Sequence, residues 1–153
     1  MIFPEQDLTL QALFDFTKTA AGTYLAGFTY PWEALSGIAD FVAAYGRTLS
    51  PAEYRTPEET GLENVWIARS AKVAPSAWIQ GPCVIGPDAE IRHCAYVRGS
   101  ALIGAGCVVG NSCEIKNSIL FDGAQVPHFN YVGDSLLGFK AHLGAGAVTS
   151  KIK

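Results

Sequence analysis

Large aliphatic residues recur in the second half of the chain at a regular spacing of six. We call these positions rungs, and the first nine are Ile67, Val73, Ile79, Ile85, Ile91, Val97, Ile103, Val109 and Ile115. A period of six fits neither an α-helix, whose period is about 3.6, nor an amphipathic strand, whose period is about 2. It is typical of a β-helix of hexapeptide repeats, in which each repeat supplies one short strand. Three repeats predict a triangular coil of about 18 residues with the rungs inside it.

Smaller residues occupy the position two residues before each later rung. They are Ala71, Ala77, Cys83, Ala89, Ala95, Ala101, Cys107, Cys113, Ser118, Ala124, Asn130, Ser135, Ala141 and Ala147. The rungs themselves continue at Leu120, Val126, Val132, Leu137, Leu143 and Thr149. Two steps, from Ile115 to Leu120 and from Val132 to Leu137, are five residues instead of six, which predicts a change of register on both sides of residues 126–131. Glycine often follows a rung, as at Gly86, and predicts a tight turn there.

Residues 1–62 lack the repeat and show helical features. Pro31 suits a first helical turn, apolar residues follow it at helical spacing, and Gly46 suits the end of that helix. Residues 50–53 match a capping box and predict a short last helix. The predicted fold is all-β, a left-handed parallel β-helix over residues 63–153 with a small α-helical segment over residues 1–62. We expect this segment to pack on an end or side of the β-helix, and docking of a partner is the alternative.

Composition narrows the functional classes. The 153 residues are 49% hydrophobic and carry a net charge of −3, which argues against a nucleic-acid-binding surface. No apolar run is long enough for a membrane span, and the N-terminus lacks the features of a signal peptide. Three of the four cysteines occupy small interior positions and no CxxC spacing occurs, so we expect reduced thiols, no cysteine metal site and a cytoplasmic location.

Two cations mark a candidate anion site. Arg98 and Lys116 lie 18 residues apart, one full coil, so both are predicted at the same corner of the prism. Two positive charges that close repel each other unless an anion or an acidic side chain lies between them. A bound phosphate is the first interpretation. A solvated corner, or pairing with Glu114, Asp122 or Asp134, is the alternative.

His128 lies in the segment between the two shortened steps, within one coil of these cations. Histidine titrates near neutral pH, so His128 is a candidate general base, with a plain surface histidine as the alternative. His93 and His142 have the same surface alternative. A trimeric β-helix with three histidines also suggests a zinc site like that of the γ-class carbonic anhydrases, although the close histidine pair of that family is missing.

Four strings carry a resemblance to a known family: CAYVRG at residues 94–99, CEIKN at 113–117, VPHFNYVGD at 126–134 and LGAGAVT at 143–149. Together they resemble the acetyltransferase half of the bifunctional glucosamine-1-phosphate acetyltransferase/N-acetylglucosamine-1-phosphate uridylyltransferase family. The glycine-rich nucleotide loop of the uridylyltransferase half is absent from this sequence. The resemblance implies acetyl transfer from acetyl-CoA to the amine of an amino-sugar 1-phosphate, in a homotrimer and without a metal. Composition already led us to expect no membrane or nucleic-acid partner.

The resemblance also implies residue roles. His128 would be the general base, and Arg98, Lys116 and Tyr131 would bind the sugar phosphate. The backbone N–H near Ala145 would stabilise the oxyanion. His142 and Lys151 stand where the bifunctional enzymes have asparagine, one at the substrate and one near the cofactor. These two departures favour an alternative function, a non-catalytic β-helix that binds sugar phosphates or forms trimers.

Overall fold

The structure is a computed structural model that describes residues 4–149. Its N-terminal part contains short helices, and none of the helices within residues 4–149 is long and apolar enough to cross a membrane. The 3-10 helices are Glu5–Leu8, Phe16–Lys18 and Pro31–Gly37, and the α-helices are α1 (Leu10–Leu13), α2 (Gly22–Leu25), α3 (Ile38–Gly46) and α4 (Pro57–Thr60). The helix expected after Pro31 is confirmed, with its first part in the tighter 3-10 form.

The predicted β-helix is confirmed, with short strands that stack in parallel. The strands are β1 (Tyr54–Arg55), β2 (Val65–Ala68), β3 (Lys72–Val73), β4 (Trp78–Ile79), β5 (Cys83–Ile85), β6 (Glu90–Ile91), β7 (Tyr96–Val97), β8 (Ala101–Ile103), β9 (Val108–Asn111), β10 (Glu114–Leu120), β11 (Gln125–His128) and β12 (Tyr131–Leu137). They form the three faces of a left-handed prism. Face 1 contains β2, β5, β8 and the ends of β10 and β12; face 2 contains β3, β6, β9 and β11; face 3 contains β4, β7 and the beginnings of β10 and β12.

The rungs fill the interior as the period predicts. Those in the middle of the prism are at most 1% exposed, namely Ile85, Ile91, Val97, Ile103, Val109, Ile115, Leu120, Val126 and Val132. Burial decreases towards both ends, where Val73 and Leu143 are only partly buried. A rung is covered by the rungs one coil before and after it, so the terminal rungs lack one of their two neighbours.

At each of the two five-residue steps between rungs, the corner of the prism is one residue shorter than elsewhere. A residue in the left-handed backbone region recurs at every corner from Asp88 onward, at Asp88, Cys94, Ser100, Gly106, Ser112, Asn117, Gly123, Phe129, Asp134, Lys140 and Gly146. At most corners it is the third residue after a rung, but Asn117 and Asp134 are the second. There β10 and β12 run through the corner and belong to two faces each. The segment between these corners keeps an ordinary strand, β11.

The prediction that a glycine after a rung makes a tight turn is wrong for Gly86. Gly86 does not adopt a positive φ, and the residue with a left-handed backbone at that corner is Asp88. Instead, a Cβ on Gly86 would lie 2.9 Å from the backbone nitrogen of Ala105 in the next coil. Glycine is therefore required there by close contact between coils and not by turn geometry.

Face 1 is the face that the helices cover. Its outward side chains form an apolar column of Trp66, Val84, Leu102, Ile119 and Leu136. Helix α3 packs against β5, β8 and β10 through its buried residues Ile38 and Val42. A Cβ on Gly46 would collide with the Trp66 ring, so this helix end needs glycine. The helical segment thus packs on the side of the β-helix.

The short helix expected at residues 50–53 is wrong. Ser50 Oγ accepts from Ala52 N–H at 3.2 Å, and the backbone makes a turn that leads into β1. Strand β1 pairs antiparallel with β2, with Tyr54 opposite Ala68. Pairing with the exposed edge of face 1 outweighs the local capping signal, and helix α4 begins only at Pro57. Although it precedes residue 63, β1 extends face 1 of the β-helix.

The thiols provide a test of this packing. Cys83, Cys107 and Cys113 are buried, whereas Cys94 is exposed at a corner. Burial raises the pKa of the Cys83 and Cys107 thiols to about 12, so both remain protonated and unreactive at mildly alkaline pH. We expect a chromogenic aromatic disulfide to react quickly with one thiol of the native protein and with four after denaturation. Cys94→Ser should remove the fast reaction, and any fast-reacting thiol left in that variant would contradict the buried positions of the other three.

Candidate active site

Face 3 carries the residues that the sequence singled out. Because side chains alternate along a strand and the rungs point inward, their neighbours point outward. The outward residues form two columns across the coils, one of Trp78, Tyr96, Glu114 and Tyr131, and one of Gln80, Arg98, Lys116 and Gly133. The second column lies at the edge where face 3 turns into face 1.

Arg98 and Lys116 are neighbours in this column, as predicted. The Arg98 backbone N–H donates to the carbonyl of Ile115, the residue before Lys116. Each cation also has an acidic partner: Arg98 Nη1 lies 3.2 Å from Glu114 Oε1, and Lys116 Nζ lies 3.7 Å from Asp134 Oδ2. Both cationic side chains are about 40% exposed, at 41% and 39%, so these pairs contribute little to stability. An anion that binds Arg98 would compete with Glu114, which among residues 4–149 is held only by this exposed pair.

Asp134 is the best anchored of these groups. Its side chain is 12% exposed, and its Oδ1 accepts from Asn117 Nδ2 at 2.8 Å. The two residues occupy the two short corners, one coil apart, and both have a left-handed backbone. The third acid weighed from the sequence, Asp122, lies at another corner, where its Oδ1 accepts from Ala105 N–H at 3.0 Å.

Tyr131 extends towards the same edge. Its ring lies over Gly133, since a Cβ on that glycine would collide with the Tyr131 hydroxyl oxygen. Gly133 is paired with Lys116 on the neighbouring strand. The tyrosine hydroxyl is therefore next to the column of cations, and the structure brings Arg98, Lys116 and Tyr131 together.

His128 lies at the opposite edge of face 3. It ends β11, pairs with Asn111 of β9, and is exposed at the corner between face 2 and face 3. About three residues of extended strand, roughly 10 Å, separate this corner from the cationic edge. Among residues 4–149 its ring makes no hydrogen bond, so both ring nitrogens are available to a ligand.

Asn130 holds the His128 corner in place, a role that its position in the repeat did not reveal. Its side chain is 3% exposed. Its Oδ1 accepts from His128 N–H at 2.9 Å, and its Nδ2 donates to the carbonyls of Gly144 and Ala147 at 2.8 and 3.0 Å. Two residues before a rung, most positions hold alanine or cysteine, whereas Asn130 has an amide side chain. An amide buried at this position must form hydrogen bonds with the backbone, so this departure is the signal in the sequence.

The remaining predicted residues lie farther along the chain. Ala145 is at the corner one coil beyond His128, where the Gly146 N–H donates to the His128 carbonyl at 3.0 Å. No hydrogen bond from the Ala145 N–H occurs among residues 4–149. His142 lies on face 2, with its Nδ1 3.1 Å from Gln125 Oε1, so one chain does not bring it to the cations. Lys151 lies outside the described residues.

The histidines do not form a metal centre within one chain. Residues 4–149 contain no group of three His, Cys, Asp or Glu side chains that could hold a metal ion. His93 instead contacts Ser76 Oγ at 2.7 Å and Cys94 Sγ at 3.2 Å.

Comparison with known proteins finds a matching family and several similar proteins. Residues 79–152 match the family described as GMPPB C-terminal domain. The bifunctional protein GlmU of Desulfitobacterium hafniense is 40% identical over 71% of this chain, and that of Heliobacterium modesticaldum is 32% identical over 90%. The GlmU of Leifsonia xyli is 43% identical over 44% of this chain. This β-helix is a relative of the bifunctional GlmU proteins.

The resemblance seen in the four sequence strings is thus confirmed. The GlmU-like chain spans about a quarter or less of these relatives, namely 24%, 27% and 14% of their lengths. These matches therefore concern one part of each bifunctional relative.

The Asn130 clamp can be tested by substitution. Asn130→Ala would leave the His128 N–H and the Gly144 and Ala147 carbonyls without this partner, and we expect the free energy of unfolding to fall by about 2–4 kcal/mol. Asn111→Ala is the matched control, because Asn111 Oδ1 accepts only from Ser112 Oγ at this corner, at 2.9 Å, and its loss should cost less than about 0.5 kcal/mol. Denaturant unfolding measures both, and equal losses would refute the clamp.

Proposed function

We propose that this GlmU relative transfers an acetyl group from acetyl-CoA to the amine of an amino-sugar 1-phosphate, with glucosamine 1-phosphate as the model substrate. The observation that carries the proposal is the arrangement on face 3. Two cations and a tyrosine hydroxyl lie at one edge, and at the other lies a histidine whose ring makes no hydrogen bond to residues 4–149. A sugar phosphate lying across Tyr131 would hold its phosphate at Arg98 and Lys116 and direct its amine towards His128.

The site supplies charge recognition at the phosphate. Guanidinium and ammonium groups bind phosphate oxygens by charge-assisted hydrogen bonds, which are stronger than neutral ones. The substrate phosphate would displace Glu114 from Arg98, because that exposed pair is weakly held. Asp134, anchored by Asn117, would keep Lys116 in position at the corner.

His128 would act as the general base. Its imidazole takes a proton from the substrate ammonium, and the free amine attacks the carbonyl carbon of the thioester. A C–N bond forms, the C–S bond breaks, and the CoA sulfur leaves as a thiolate. The imidazolium gives this first proton to the leaving thiolate and then takes the second proton, which the nitrogen loses as it is acylated. One proton per turnover is finally released to water. No covalent enzyme intermediate is needed.

The developing oxyanion requires a donor near this histidine. Ala145 is one coil beyond His128, and its N–H has no acceptor among residues 4–149, which supports its proposed role. His142 lies on face 2, and Lys151 is proposed at the acetyl-CoA site. In the proposed homotrimer, His142 would contribute to a site on face 3 of a neighbouring chain.

One observation favours the alternative, a sugar-phosphate-binding or trimerising module without catalysis. His142 and Lys151 differ from the asparagines that the family resemblance implies at those positions. Such a module would bind a sugar phosphate through Arg98 and Lys116 but release no CoA.

The base is tested by His128→Asn. We expect CoA release, followed by thiol detection with acetyl-CoA and glucosamine 1-phosphate, to fall by about 100-fold or more while the assembly state is kept. The matched control is His93→Asn, an exposed histidine at the same edge two coils away, which should change turnover by less than about twofold. Near-normal turnover in His128→Asn would disprove the mechanism. Sugar-phosphate binding without release in the unaltered protein would favour the module.

The phosphate site is tested by Arg98→Gln. We expect affinity for glucosamine 1-phosphate, measured by calorimetry, to fall by about tenfold because one charge-assisted contact is lost. Arg92→Gln is the control, since Arg92 has an equally exposed ion pair with Glu90, at 3.1 Å, on face 2. If Arg92→Gln weakened the binding of glucosamine 1-phosphate as much as Arg98→Gln, a general loss of positive charge would explain the result better than a site on face 3.

A further inference from the structure

The β-helix has an open mouth at its N-terminal end. Only face 1 is extended there, by β1, whereas β3 and β4 are edge strands of their sheets. A cavity of about 560 Å³ opens at this end. Its floor is the first rung of each face, Ile67, Val73 and Ile79. This volume is in the range of small-molecule sites, and an apolar floor is typical of them.

Arg55 lies in the wall of the mouth. It pairs with Ile67 across β1 and β2, and side chains of paired residues point to the same side of a sheet. Because Ile67 points to the interior, the Arg55 side chain extends under it, towards the axis of the prism. Arg55 Nε is buried and has no hydrogen-bond partner among the described residues. A buried donor without a hydrogen-bond partner is energetically unfavourable, so the site is suited to a ligand that brings an acceptor atom to Arg55 Nε.

The charges around the mouth select the kind of acceptor. Glu59 also lines the cavity, but its Oε1 is bound to Arg69 Nη2 at 2.7 Å. Arg55 is therefore the one cation in the cavity lining whose charge no described carboxylate balances. A single cation next to an acidic residue favours a monoanion over a phosphate dianion. The Nε and Nη edge of a guanidinium also matches the two oxygens of a carboxylate.

The rest of the wall selects the body of the ligand. Leu62 and Pro75 line the cavity, and Trp78 stands at its rim with 66% of its surface exposed. An indole at a rim offers a flat surface for stacking. We propose that the mouth binds an aromatic monocarboxylate, with its carboxylate on Arg55 and its ring between Trp78 and the rung floor. This site is at the end of the prism and does not depend on the acetyl transfer proposed for face 3.

Binding is tested with a matched pair of probes, naphthoate and its neutral amide, naphthamide, on the full chain by calorimetry. We expect naphthoate to bind about tenfold more tightly than naphthamide. Arg55→Leu should remove this difference by weakening naphthoate alone, and Arg55→Lys, which keeps the charge but not the fork, should give an intermediate value. Trp78→Ala should weaken both probes.

Two comparisons keep the result interpretable. Arg47→Leu removes an exposed cation from the end of α3 and should leave the discrimination between the probes unchanged. Thermal unfolding of each variant shows whether the protein is still folded, and Arg55→Lys serves as the binding test if Arg55→Leu does not fold. Equal binding of the two probes to the unaltered protein would overturn the proposal. So would tenfold discrimination that persists in the Arg55 variants.

Discussion

The backbone hydrogen bonds between coils are the constraint on which the rest of this molecule depends. Each coil donates N–H groups to carbonyls of the next one, as from Lys72 to Ala89 and from Glu90 to Cys107. This ladder holds successive coils about 4.8 Å apart and places equivalent residues above one another. Every outward position thus becomes a column, and neighbouring members of a column must tolerate each other in charge and size. This ladder explains the stacked cations, the apolar column under the helices and, on face 3, the column of Trp78, Tyr96, Glu114 and Tyr131.

The corners are where this regular fold departs from its own rule. Shortening two of them by one residue places Asn117 and Asp134 in contact and lets β10 and β12 continue from face 3 into face 1. Such a change alters the chain path at one edge without disturbing the interior, since the neighbouring rungs Ile115, Leu120 and Val132 remain fully buried. The proposed phosphate site lies at this altered edge, and the proposed base lies at a corner of ordinary length.

The three faces and the mouth divide the surface into parts with different chemistry. Face 1 is covered by α3, so its outward apolar residues belong to a second core. Face 3 remains open and carries the charged and aromatic side chains of the proposed site. The mouth combines the end of the interior with a buried Arg55 nitrogen that has no hydrogen-bond partner within residues 4–149. A repeat that makes one interior thus offers several independent surfaces.

The period of six was sufficient to predict the fold, the buried rungs and the shared column of Arg98 and Lys116, because in a β-helix sequence spacing converts directly into spatial position. It also located the two irregular corners. It offered pairing of the cations with Glu114 or Asp134 only as the alternative to a bound phosphate, and the structure shows both pairs. It did not predict that Tyr131 lies over Gly133. Side-chain directions depend on which neighbours fill the space between coils. The turn at residue 50 and the buried amide of Asn130 likewise depend on partners distant in sequence, and the tertiary structure alone determines those.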